Sequence, residues 1–328
     1  MSAIANDPAH HLGKIPSVHN GPVIVACDGA PASQESLFNA ARLAGRTFGA
    51  AIEILGVCEP TPAVAGGMDV IPAPVELDDM RRTSMVSDIQ RTVSVSAVGD
   101  PAWPVEVKIG SPARTLATES QRRAASMLVM GIGRHNPLDR LFGTETTLAT
   151  LRESSVPVLA VGMNFPSAPN HAVVGMDFSA ASVHAARLSI RLLGEDGRLT
   201  LVHVRPRFEH PSDDWQAWDS EYGKTLPPLF EQIRQQLNAP ATMTVETITI
   251  RGDPAPALLA YAQQSGAELI ALGTQRHGLI ERLVVGSVAT RVLRTSRCAV
   301  LAVPAAAAPA ASATASNVKA SLDTGKAA

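Results

Sequence analysis

The chain is poor in the residues that announce chemistry on their own. Only three of its 328 residues are cysteine: Cys27, Cys58 and Cys298. An odd number, without the close pairs of a metal site, argues against a disulfide framework and against zinc. Each lies in or beside an apolar run, so each reads as a small buried hydrophobe in a reducing compartment. Aromatic residues make up 4 % of the chain, too few for platforms that stack bases. The formal net charge is -2, which gives no overall pull toward nucleic acid or anionic membrane. No stretch of about 18 apolar residues runs free of proline and charge, so no membrane span is expected. The first twenty residues, MSAIANDPAHHLGKIPSVHN, lack the apolar centre of a signal peptide. These absences together predict a cytoplasmic protein with no nucleic-acid partner, no membrane partner and no metal.

Catalytic signatures are missing too. There is no G-x4-G-K-[ST] phosphate loop, no G-x-S-x-G elbow and no H-E-x-x-H helix. His10 and His11 fall in the polar terminus and read as incidental. His184 falls in an expected helix and His203 in an expected strand, where histidines satisfied by the scaffold are expected. Asp213, Asp214, Trp215 and Trp218 read as a solvated loop after a strand.

What the chain does have is enough apolar material for a core and enough length for two domains. Hydrophobic residues make up 45 % and charged residues 18 %. It also repeats itself. VIVACDGAPAS (23–33) matches VVGMDFSAAS (173–182), and in both a serine follows an aspartate by five places (Asp28 and Ser33; Asp177 and Ser182). KIGSPA (108–113) matches IRGDPA (250–255), and MLVMG (127–131) matches LIALG (269–273). LRESSVPVLAV (151–161) matches LRTSRCAVLAV (293–303). Four matches in one order mark a tandem duplication.

Each copy reads as β-α-β-α-β-α-β-α-β. Strands are expected near 22–27, 51–57, 104–109, 126–130 and 156–161, then near 172–176, 199–204, 243–250, 268–272 and 298–303. They are short and continuously apolar, as strands covered on both faces are. Helices are expected between them, including 33–48, 112–125, 182–193, 254–265 and 288–295. Residues 59–100 read as a Pro/Gly-rich loop followed by a helix carrying Leu77, Met80, Met85 and Ile89. The predicted class is α/β, with two doubly wound, open, parallel five-stranded sheets, one per repeat, layered like flavodoxin and Rossmann proteins. The expected divisions are a flexible terminus at 1–20, a first domain at 21–163, a linker at 164–171, a second domain at 172–304 and an Ala/Ser/Pro-rich disordered tail at 305–328.

Open sheets of this kind bind ligands beyond the carboxyl ends of their strands, where the strand order reverses. The informative residues therefore follow the first and fourth strands of each copy. After the first come Asp28 and Asp177. Such a carboxylate accepts hydrogen bonds from an adenine amine or a ribose hydroxyl, or else it caps the next helix. After the fourth strand of the second copy comes GTQRHGLIERLVVGS (273–287). Gly286 and Ser287 there open a helix, whose free N–H groups and dipole favour an anion such as phosphate.

These residues resemble the universal stress proteins, which carry Gly-x2-Gly-x9-Gly-Ser/Thr after the fourth strand and an aspartate after the first. In the nucleotide-binding branch of that family these groups hold ATP. The resemblance implies an adenine-nucleotide-like fold and a nucleotide site in the second copy at Asp177, Val204, Gly273, Arg276, Gly286 and Ser287. Arg276 stands where the motif has its second glycine. The corresponding set in the first copy is Asp28, Val57, Gly131, Arg134, Gly143 and Thr144. That copy departs further. Aligned without a gap from Gly131/Gly273 to Leu151/Leu293, Gly143 falls opposite Val285, Thr144 opposite Gly286 and Glu145 opposite Ser287. A carboxylate at a phosphate position repels the ligand unless a cation offsets it, so the second copy is expected to be the better site and the first a degenerate one.

The pair Arg134-His135 recurs as Arg276-His277. Each arginine either binds phosphate with its charged fork or pairs with the nearby Asp139 or Glu281. The final strand of each copy is expected at a sheet edge, where exposed apolar strands invite pairing. The resemblance implies that the two halves pair with each other in one chain and that chains then form a homodimer. It further implies a non-catalytic regulatory module of the stress response that binds ATP or another adenine nucleotide. A slow ATPase or nucleotidyl-transfer enzyme, and a dimerisation module without a small ligand, are the alternative readings.

Overall fold

The fold is that of a computed structural model, which describes residues 21–29, 34–61, 64–66, 69–71, 75–132, 143–205, 207, 213–274 and 286–305. The sequence expectations for the terminus (1–20), for the tail from 306 onward and for Arg134, His135, Arg276 and His277 lie outside the described residues.

In the first half the elements run β1 (Val23–Ala26), α1 (Gln34–Phe48), β2 (Ile52–Cys58), β3 (Val64–Gly66), β4 (Asp69–Ile71), α2 (Val75–Val95), β5 (Val105–Ile109), α3 (Pro112–Arg122), β6 (Met127–Gly131), α4 (Thr144–Glu153) and β7 (Val158–Val161). In the second they run β8 (His171–Gly175), α5 (Ala180–Leu192), β9 (Arg198–Arg205), α6 (Asp213–Leu237), β10 (Thr244–Arg251), α7 (Pro254–Gln264), β11 (Leu269–Thr274), α8 (Ser287–Thr295) and β12 (Ala299–Pro304). The segment read as a Pro/Gly-rich loop contains the antiparallel β3–β4 hairpin. In the helix that follows, Met85 and Ile89 are buried, whereas Leu77 and Met80 are exposed. The segment from Asp213, read as a loop, is the start of α6, which continues through Pro227 and Pro228.

Within each half the strands of the main sheet are parallel, and both halves have the same order: β5-β2-β1-β6-β7 and β10-β9-β8-β11-β12. The order reverses between β1 and β6, and again between β8 and β11. The expected two sheets are in fact one sheet of ten strands, because β7 and β12 pair antiparallel. The reason is physical. Both strands are fully buried, and each satisfies its outer row of backbone donors and acceptors on the other. The true edges are β5 and β10. They differ from the central strands in carrying partly exposed, polar residues such as Glu106, Lys108, Thr247 and Thr249.

Alternate residues of the strands feed two cores. One face holds Val23, Val25, Leu159, Val174 and Leu301 against Phe38, Ile89, Leu188 and Phe230 of α1, α2, α5 and α6. The other holds Ile24, Leu128, Val158, Val173 and Val300 against Leu116, Leu148, Leu258 and Val292 of α3, α4, α7 and α8. Each core runs without a break across both halves. At about 25 cal/mol per Å² of apolar surface removed from water, this shared burial is the main force holding the halves together.

Polar contacts reinforce the seam. The Arg191 guanidinium on α5 donates to the Thr47 carbonyl on α1 at 2.8 Å and lies 4.6 Å from the centre of the Phe48 ring. The segment between the halves buries Phe165, whose backbone N–H donates to Ser36 Oγ on α1 at 3.2 Å.

Candidate functional site

The strand registers bring the expected residues to one end of each half. In the second half Leu272 of β11 pairs with Gly175 of β8, so Gly273 and Asp177 follow at the ends of adjacent strands. In the first half Met130 of β6 pairs with Ala26 of β1, which places Gly131 and Asp28 in the same relation. These are the positions where the strand order reverses and the helices leave on opposite faces, which opens a crevice.

Asp177 is exposed at this crevice. Its Oδ1 accepts from the backbone N–H of Ser179 at 3.0 Å and from Ser179 Oγ at 2.5 Å. The helix cap is Ser179, whose Oγ accepts from the Ser182 N–H at 3.2 Å. Asp177 therefore braces the cap of α5 and does not itself cap the helix. The residue after each aspartate turns left-handed: Gly29 at φ +79° and Phe178 at φ +63°. Phenylalanine holds this conformation through packing. Its ring is buried 4.9 Å from His203 and 5.2 Å from Phe230, centre to centre.

Gly273 has a structural reason to lack a side chain. A Cβ there would lie 2.5 Å from the Ser182 backbone nitrogen and 2.9 Å from Ala181 Cβ, so the glycine lets the start of α5 close onto β11. Gly286 differs. It precedes α8 as its N-cap, and a Cβ added to it meets nothing within 4 Å among the described residues. Ser287, the first residue of α8, is exposed. In the first half Gly143 is the N-cap of α4 with the same open space, and Thr144 opens that helix. Val204 is half-buried, whereas Val57 is fully buried in the core, so only its backbone is left for a ligand.

Glu145 does something that spacing alone does not reveal. Its carboxylate pairs with Arg294 in the last turn of α8, with Nη2 at 2.9 Å and 3.1 Å from its two oxygens and Nε at 3.2 Å from one. The first half thus places a carboxylate in the first turn of α4 and holds it with an arginine from the second half.

Beside the crevice of the second half lies a polar cluster that motif reading missed. His203 Nδ1 lies 2.7 Å from the Met176 carbonyl, and its Nε2 lies 3.0 Å from the Tyr222 hydroxyl on α6. A neutral ring with its proton on Nδ1 satisfies both contacts, donating to the carbonyl and accepting from the phenol. Burial holds the His203 pKa below its ordinary value. One turn of α6 earlier, Asp219 accepts from both Arg205 and Arg251. A signal existed: Arg205 and Arg251 are register partners on neighbouring strands, and two adjacent guanidinium groups call for a carboxylate. Cys27, at the end of β1, donates to Gln34 Oε1 at 3.4 Å, and burial pushes its thiol up to about 12, which leaves it un-ionised.

Among the described residues no group of three or more His, Cys, Asp or Glu side chains is placed to hold a metal ion. No helix among them is long and apolar enough to cross a membrane. The topology and crevices define a tandem, doubly wound α/β protein of the kind that receives ligands at strand carboxyl ends.

Comparison with known proteins narrows the class. The model of the universal stress protein family matches twice, over residues 19–162 and 169–304. The chain belongs to the universal stress protein family and carries two of its domains in tandem. It is 37 % identical over 136 residues to universal stress protein MJ0531 of Methanocaldococcus jannaschii, covering 40 % of this chain and 79 % of that one. It is 28 % identical over 141 residues to universal stress protein YxiE of Bacillus subtilis, covering 40 % of this chain and 95 % of that one. The crystal structure of a universal stress protein from Archaeoglobus fulgidus matches 87 % of this chain and 98 % of its own, with TM-score 0.53 and 18 % identity, a likeness of fold.

Proposed function

We propose that the chain is a non-catalytic regulatory module that binds ATP or another adenine nucleotide in the crevice of its second domain. The observation that carries this reading is the exposed Ser287, which follows Gly286 and opens α8, in the half whose strand ends also present Asp177. An anionic phosphate meets free N–H groups and a positive dipole end there. In this reading Asp177 accepts from an adenine amine or a ribose hydroxyl. The first domain has Glu145 where the second has Ser287, which supports a division of labour between a binding half and a degenerate one.

The absence of a disulfide at Cys27, Cys58 or Cys298 supports a reducing, cytoplasmic setting. Association of two whole chains belongs to the same reading, and solution mass at several concentrations tests it. The nucleotide itself is tested by mass spectrometry of small molecules released from denatured, freshly purified protein and by thermal stabilisation on adding ATP. A hundredfold excess of ligand over Kd adds about 2.7 kcal/mol to stability by mass action. No released nucleotide and no shift with ATP would overturn the proposal. ATP turnover above background that disappears in Asp177→Ala would turn the module into an enzyme.

A further inference from the structure

We infer that the second domain holds a binding site for a small organic carboxylate between α6 and the edge strand β10. The site is separate from the crevice of the nucleotide reading and does not depend on it. That crevice opens between β8 and β11, whereas β10 lies at the edge of the sheet beyond β9.

The two halves of the chain supply the comparison. Ala26 of β1 pairs with Leu55 and its equivalent Gly175 of β8 pairs with Val202, which sets Cys58 of β2 on Arg205 of β9. The ladders to the edge strands then set Val105, Val107 and Ile109 on Thr247, Thr249 and Arg251. In the first half Cys58, Val107 and the half-buried Val105 join one core with Met85, Ile89 and Val93 of α2. In the second half every one of these apolar positions is polar. Valine has become threonine twice, the same shape with a hydroxyl in place of a methyl, and the thiol has become a guanidinium.

Arg205 is only 8 % exposed, so its charge needs compensation from the protein. That compensation is incomplete. Both of its hydrogen bonds among the described residues run from Nη2, to the carboxylate and to the backbone carbonyl of Asp219. The guanidinium carbon lies 5.6 Å from the centre of the Tyr222 ring. Nε is buried without a partner. Asp219 is shared with Arg251, so two guanidinium groups meet one carboxylate and one positive charge is left over.

The helix makes room for this group. Gly223 lies inside α6, where glycine costs about 1 kcal/mol against alanine. A Cβ there would lie 3.0 Å from Arg205 Nη1, so the bare backbone lets α6 close over the guanidinium. Arg205 and Gly223 line a cavity of about 270 Å³ whose remaining walls divide by chemistry. Leu226, Pro227 and Phe230 of α6 form an apolar side, and Thr247 and Thr249, two places apart on one face of β10, bring hydroxyls. A cation with an unused donor, two hydroxyls and an apolar wall together fit an anion with an apolar body. A planar carboxylate suits the planar guanidinium. The volume falls below the roughly 300–1,000 Å³ of sites for drug-sized ligands, which excludes a nucleotide and sets the ligand at about the size of a substituted ring or a short acyl chain.

The test is titration of the full chain with benzoate, followed by calorimetry and by backbone amide shifts in NMR. Benzoate is expected to bind with a Kd of about 1 mM or tighter and to move the amides of Gly223, Thr247 and Thr249. Benzamide keeps the ring and loses the charge, and acetate keeps the charge and loses the ring. Each should bind about tenfold more weakly than benzoate. Arg205→Gln should bring benzoate down to the affinity of benzamide. Should that variant fail to fold, the double variant Thr247→Val, Thr249→Val decides. It restores the first half's residues on an exposed strand, and it should leave the melting temperature nearly unchanged while weakening benzoate about tenfold. No benzoate binding in the millimolar range, shifts confined to other residues, equal affinity for benzamide, or undiminished affinity in the threonine double variant overturns the inference.

Discussion

Phe178 and Gly29 occupy the same turn, one after each strand-end aspartate, and both hold a left-handed backbone that costs a residue with a side chain roughly 1–2 kcal/mol. The phenylalanine bears that cost because its ring fills the space between His203 and Phe230. Phe178→Ala should lose about 3 kcal/mol of stability through the vacated ring volume. Phe178→Gly should lose about 1 kcal/mol less than Phe178→Ala, the reverse of the usual order of the two residues. Urea unfolding of both variants decides, and a glycine variant weaker than the alanine variant would show that the turn is unstrained.

Gly29 gives the converse. A Cβ there would come 3.3 Å from Asp88 Cβ and force the left-handed angle on a residue that resists it. Gly29→Ala is expected to cost about 1–2 kcal/mol, read by the same measurement.

The continuous cores predict joint unfolding of the two domains. Leu301 is fully buried on the seam, and Leu301→Ala should destabilise the whole chain by about 2–5 kcal/mol. Calorimetry should show one transition for the unmutated chain and for the variant. Two separate transitions, with only the second domain's lowered, would mean that the domains are energetically independent.

Acid sensitivity should concentrate at Arg123. Its guanidinium ties Glu53, Glu106 and Glu119 together at 2.6, 2.5 and 2.9 Å, joining β2, β5 and α3. Hydrogen bonding from Arg122, aided by Arg123, lowers the Glu119 carboxyl from 4.5 to about 2. A depressed carboxylate contributes stability that is complete above its unfolded pKa and is lost as pH falls through the folded one. The window is therefore about pH 4.5 down to about 2. Glu119→Gln should flatten the pH dependence of the urea midpoint in that window by roughly 1 kcal/mol after solvent screening. An unchanged slope would assign the acid response to other groups.

His203 predicts a second, higher window. Its pKa lies below the ordinary histidine value because burial disfavours the charged ring, so its contribution is complete above about pH 6.5 and fades as pH falls further. Proton NMR should place the His203 titration below that of an exposed histidine. Tyr222→Phe, which removes the hydroxyl facing Nε2, should alter the His203 resonances. A ring titrating at or above the ordinary value would mean that it is solvated.

How much of this was legible follows from what each segment buries. The central strands, such as VIVA at β1 and VLAV at β7, meet apolar neighbours on both faces, so their unbroken apolar runs declared them. The start of α6 was read as a loop, whereas the helix begins at Asp213 and continues through Pro227 and Pro228 to bury Phe230 and Ile233. The β3–β4 hairpin lay inside a Pro/Gly-rich stretch that carries no alternating pattern. The positions of Asp177 at a strand end and of Gly286 and Ser287 at a helix start were legible because the duplication set two copies of each segment side by side. The role of Glu145 was not, since its partner Arg294 is distant in sequence and reaches it only through the β7–β12 pairing. For the same reason the single ten-stranded sheet could be reached only as far as the pairing of its inner edges.

The β7–β12 junction has one more effect. Two separate chains associating through such strands would do so only at sufficient concentration, and each would have to be the same as the other. Fusion through a short connection raises the effective concentration to the millimolar range and keeps it there at any dilution. It also releases the halves from identity, so that a glutamate is kept in one half and a serine in the other, an inequality that no assembly of identical subunits can encode.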